Sequence, residues 1–159
     1  MAYDTPPTSE LPICPTPGMS VPTSIVDYGC LSLFNIEARA AVGEDVWAGS
    51  WYDADETVVV MLTDLDRASL ITDEMLEMAG PVRFEQAAVS IAELESKAAE
   101  FETALSDAQV DVASLWIEPQ YNRLVIDIVD GEAVRPIVES IVGTFPVAIT
   151  YNAPEPVEL

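Results

Sequence analysis

A chain of 159 residues, half of them hydrophobic, can bury one ordinary core or two small lobes that share one. Its formal charge of -22 comes from 28 Asp and Glu against six Lys and Arg, which excludes the basic footprint of a nucleic-acid binder. It has no His, so a Ser-His-Asp triad cannot be assembled, and no apolar run approaches the ~18 residues of a membrane helix.

The acids are spread along the chain rather than massed in a tail, as expected of a solvated acidic skin. The sharper alternative is a field that attracts a cationic partner. Carboxylate pairs such as Asp53 with Asp55 arise by chance among so many acids, and this pair falls in a turn, so no catalytic role is expected. The Asp53–Glu56 segment lacks the glycine and the bidentate Glu spacing of a calcium loop. No glycine-rich phosphate cradle follows any strand, and no cofactor is expected.

Residues 1–28 hold six of the twelve prolines (Pro6, Pro7, Pro12, Pro15, Pro17 and Pro22) among Thr and Ser and read as an extended leader. Cys14 and Cys30 are a disulfide candidate. Joined, they would close a loop of about 15 residues, worth roughly 3 kcal/mol in the chain-entropy model. Cys30 has no basic neighbour to make it a nucleophile, so a buried thiol is its other reading. No basic and then apolar segment of a secretion signal opens the sequence. A helix is predicted over about Tyr28–Val42, with Leu33, Ile36 and Ala40 at helical spacing and Gly43 to end it.

A first repeat follows: a strand over Val46–Tyr52, a turn at Asp53–Glu56 and a valine-rich strand over Thr57–Leu62. Asp64 or Asp66 can cap a helix to about Met78, with Leu70, Met75 and Met78 apolar; Gly80-Pro81 stops it before a strand over Val82–Gln86. In the second repeat Ser90 and Glu93 form a capping box, and Ile91, Leu94, Ala98, Phe101, Leu105 and Ala108 make one apolar stripe. A strand over Val110–Glu118 turns at Pro119–Asn122 and returns over Arg123–Val129. A helix over about Ala133–Val142 takes Pro136 in its first turn, Gly143 stops it, and Pro146–Tyr151 is the last strand.

The fold class expected is therefore α+β, with duplicated αββαβ lobes, each a three-stranded antiparallel sheet with helices on one face. The organisation is a leader to residue 28, lobes over 29–88 and 89–152, and a tail over 153–159. The copies align Trp51 with Trp116 and Pro81-Val82 with Pro146-Val147. Trp47, Trp51 and Trp116 are candidate partner anchors, since Trp is enriched at interaction hot spots, but Trp51 and Trp116 are expected rather to pack between sheet and helix. Trp47, an even number of residues from Trp51, should face the same side of its strand.

The order of Glu44-Asp45, Ala48–Trp51, the capping-box helix from Ser90, Trp116–Pro119 and Asn122–Val129 resembles the pro-regions of alpha-lytic protease and the streptogrisins, secreted bacterial serine proteases of the chymotrypsin class. The resemblance covers about Ile36 to Tyr151. It implies a folding partner and inhibitor of such a protease rather than a hydrolase. It also implies that the second lobe's sheet edge pairs with a protease hairpin while the tail leaves through the active site like a product. On that basis Pro146, Val147, Ile149, Tyr151, Val157 and Leu159 are the expected partner-binding residues. The protein is expected to be extracellular or at the cell surface, to have no nucleic-acid partner, and to be a monomer when free. The acidic excess, the leader and the lack of a protease domain in this sequence depart from the family pattern. They leave a second expectation open, a free-standing acidic extracellular structural or adhesion module with no protease partner.

Overall fold

The computed structural model describes residues 28–152, with side chains from Leu31 onward. Helix α1 (Tyr28–Val42) has the predicted bounds but presents a different face. Phe34, Ala38 and Val42, four residues apart, are buried, whereas Leu33 and Ile36 are 41% and 67% exposed and Ala40 points to solvent. Apolar residues lie around most of this helix, so 3–4 spacing fits both stripes. Packing decides between them, and it is the larger Phe34 ring that is buried.

Strand β1 (Trp47–Tyr52) pairs antiparallel with β2 (Val58–Leu62), every residue of which is buried. The turn between them is held by Asp53, whose Oδ1 accepts from the backbone N–H groups of Asp55 (2.9 Å) and Thr57 (3.0 Å). The single helix expected next is two pieces. A 3-10 turn over Leu65–Leu70 is capped by Asp64, and helix α2 (Asp73–Ala79) is capped separately by Thr72. Extended backbone at Ile71 separates them and sends that side chain into the core. Strand β3 (Val82–Gln86) completes the first sheet, in order β1-β2-β3.

The second unit repeats this connectivity. Helix α3 (Ile91–Asp107) leads to β4 (Val112–Glu118), a 3-10 turn over Pro119–Tyr121 and β5 (Arg123–Ile128). A 3-10 turn over Glu132–Val134, helix α4 (Arg135–Val142, Pro136 in its first turn) and β6 (Val147–Tyr151) come next, giving a second sheet in order β4-β5-β6. Ser90 caps α3 as expected, its Oγ accepting from the Glu93 N–H, and Ile91, Leu94, Phe101 and Leu105 are buried. Each such Leu or Phe contributes about 1.5–3 kcal/mol of burial.

Both sheets are mixed, which corrects the antiparallel expectation: β3 runs parallel to β2, and β6 parallel to β5. The cause is the helical crossover. A tight turn reverses the chain, but a crossover returns it to the starting end of the sheet, so the next strand runs in the same direction.

The tryptophans also depart from expectation. Register shifts between Trp47 and Gly49, because β1 carries a β-bulge, and this reverses the parity of the residues after it. Trp47 enters the main core, while Trp51 lies on the opposite face against Ala48, Met61 and Ala87. The equivalent strand β4 shifts between Val112 and Ser114, and Trp116 emerges on the outer face, 44% exposed.

One continuous buried cluster draws on α1, both central strands, α3 and α4. The two units also meet through Asn122, which ends the β4–β5 turn in the left-handed conformation and is buried. Its Oδ1 accepts from the N–H groups of Ala88 and Val89 (both 2.9 Å), and its Nδ2 donates to the Val89 carbonyl (2.7 Å).

Candidate functional site

Helix α4 ends at Gly143, and Pro146 prevents its resumption before the β-forming stretch Val147–Tyr151. Strand β6 is the last in its sheet and is hydrogen-bonded to β5 on one side. The Leu124 N–H donates to the Pro146 carbonyl (3.1 Å), and the Asn152 N–H donates to that of Ile128 (2.9 Å). Backbone groups alternate in direction along a strand, so Pro146, Ala148, Thr150 and Asn152 face β5. The N–H and C=O groups of Val147, Ile149 and Tyr151 face outward, with no partner among the described residues.

Of the expected partner-binding residues, Val147, Ile149 and Tyr151 thus lie along one strand and present backbone groups with no partner among the described residues, and Pro146 immediately precedes it. The Pro146 carbonyl is used inside the sheet, and Pro146 has no N–H. Val157, Leu159, Cys14 and the Cys30 side chain fall outside the described residues.

The side chains of Val147, Ile149 and Tyr151 pack against the main core, which fixes the strand, while Thr150 is exposed on the other face. No charged residue occurs in β6. Arg135 lies over the Tyr151 ring, 4.5 Å from its centroid, and holds Glu132 at 2.7 Å. Burial raises the Tyr151 phenol above its ordinary value, and the Arg135 charge partly offsets that.

Core packing was the favoured expectation for Trp116, with a partner anchor as its other reading, and the structure exposes it. It pairs with Val125, which pairs with Ala148, so an apolar row crosses the outer face from β4 to β6. The alternation in Ser114-Leu115-Trp116-Ile117-Glu118 carries the signal: Trp116 shares parity with Ser and Glu, and Leu115 and Ile117 take the core side. Among the described residues no group of His, Cys, Asp and Glu is placed to hold a metal ion, and no helix is long and apolar enough to cross a membrane. No protein-family model matches this chain, and no curated protein matches it.

Proposed function

We propose that this protein binds another polypeptide by strand addition at the outer edge of β6, as a pro-region-like folding partner and inhibitor of a secreted chymotrypsin-like serine protease. The observation that carries the reading is an edge of Val147, Ile149 and Tyr151 whose outward backbone groups have no partner among the described residues and whose strand has no charge to repel an incoming chain. Proteins ordinarily guard such edges with charges, Pro or bulges. A strand left open in this way is a template for main-chain pairing, with specificity supplied by side chains nearby. Trp116 offers such a contact two strands away. Further residues follow Asn152 in sequence, which suits a tail that accompanies the docked strand into the partner.

The test is titration of the full chain against several secreted chymotrypsin-like proteases, reading inhibition and the rate of protease refolding. Ile149→Pro removes one outward N–H without breaking a β5 hydrogen bond, and circular dichroism checks that the strand stays folded despite the lost core contacts of Ile149. Inhibition and assisted refolding by the parent chain, both lost in Ile149→Pro, are the expected result. Neither effect with any protease, or equal effects from the variant, would sink the reading.

A further inference from the structure

The first sheet has a counterpart edge with different chemistry. The Val58 N–H donates to the Pro81 carbonyl (2.8 Å) and the Ala87 N–H donates to that of Leu62 (2.8 Å). By the same alternation, Val82, Phe84 and Gln86 turn their backbone groups to the outer edge of β3, where they have no partner among the described residues. Val82 and Phe84 pack against the main core. Arg83 and Glu85 project on the opposite face, where Arg83 Nη1 meets Asp53 Oδ2 at 2.8 Å and Arg83 Nε meets Glu85 Oε1 at 3.0 Å.

We infer that β3 is a self-complementary edge that pairs antiparallel with β3 of a second copy of this chain, about a twofold axis through Phe84. Three features coincide in that register. Phe84 and Phe84 of the second copy become a hydrogen-bonded pair, and so do Val82 and Gln86, all of them residues whose backbone groups point outward. Arg83 falls opposite Glu85 of the second copy, in the closer, non-hydrogen-bonded position, twice by symmetry. The partly buried Phe84 rings meet across the axis. Arg83 has five N–H donors, so it can keep Asp53 while reaching a carboxylate of the second copy.

Moving the axis to residue 83 or 85 would set Arg83 opposite Arg83, or Glu85 opposite Glu85, of the second copy, so the charges that guard this edge against other strands also specify its own register. β6 contains no such charges and sets no register of this kind. The monomer expected of the free chain holds in dilute, low-salt solution, where two bodies of charge -22 repel. Screening relieves that repulsion. The contact is small, so the dimer forms at protein concentrations of about 0.1–1 mM.

Sedimentation equilibrium of the full chain from ~0.05 to ~0.5 M salt tests this, with expected dimerisation that strengthens as salt rises. Arg83→Glu and Glu85→Arg each place like charges in both symmetric pairs and weaken the dimer about tenfold or more. Mixed together, the two variants restore opposite charges in both pairs and form a heterodimer. That recovery also shows that each variant is folded. Ile149→Pro leaves the dimer unchanged. A monomer under every condition, a dimer insensitive to both charge reversals, failure of the mixture to recover, or loss on Ile149→Pro overturns the inference.

Discussion

Asn122 shows how much one polar side chain can hold in a protein of this size. It occupies φ 50, ψ 49, a conformation that Asn and Gly tolerate best, and its amide satisfies two N–H groups and one carbonyl in the link between β3 and α3. Asn122→Ala would leave those groups buried and unpaired and strain the backbone, a loss of about 2–4 kcal/mol. Asn122→Gly relieves the backbone and keeps the hydrogen-bond loss, so it should fall between the parent and Ala in urea unfolding. Equal stability of all three would mean that water replaces the amide. The sequence pointed to Asn122 only as the end of a turn, because its partners at Ala88 and Val89 lie more than thirty residues away. Trp116 was expected in the core although its parity with Ser114 and Glu118 pointed outward, and the placement of Trp51 was hidden because a bulge before it reverses the alternation.

Elements whose signal is local were the legible ones. Helix α3 arises from its Ser90 cap and apolar stripe, and the strands fall within two residues of their predicted starts and ends. The features hidden from sequence reading were long-range: the buried face of α1, the break at Ile71 and the direction of β3 and β6. For the candidate site, the β6 residues were named on the resemblance alone. Which of them present free backbone depends on register, which only the paired strands reveal. The β1 bulge has a role of its own. Gly49, at φ 114, sits where an added Cβ would come 2.9 Å from Pro119 Cβ and 3.5 Å from Ile91 Cδ1, so the bulge is one of the places where the first sheet meets the second unit. The proline ring cannot swing away, and a positive φ penalises any side chain. Gly49→Ala should cost about 2–3 kcal/mol in denaturant unfolding. A change below about 0.5 kcal/mol would show that the units slide to accommodate it.

At the scale of the whole molecule, charge dominates. With 28 acids against six bases, most carboxylates have no cation to pair with, and compaction brings them together. The pairs that do form, such as Arg123–Glu118 at 2.8 Å and Lys97–Glu100 at 2.8 Å, are exposed or half-exposed and contribute little each. Added salt screens repulsion more than it weakens these few attractions. The thermal midpoint should therefore rise between ~0.01 and ~0.3 M salt, opposite to a fold held by ion pairs. Lowering pH from 7 toward about 5 acts in the same direction, since protonation begins to discharge the skin. Asp53 sets a limit on the acid side. Its carboxyl is held below the ordinary value, first by the Thr57 N–H and then by Arg83. A depressed folded value gives stability that is present above the ordinary carboxylate range and is lost as pH falls through the folded value. Stability should thus pass through a maximum near pH 5 and decline below about pH 4, with Asp53→Asn removing part of the decline. Thermal melts across pH and salt check both signs together. A midpoint that falls with salt at pH 7 would mean that the few ion pairs outweigh the repulsion of the acidic surface, and would remove the reason for expecting the dimer to strengthen as the solution is screened.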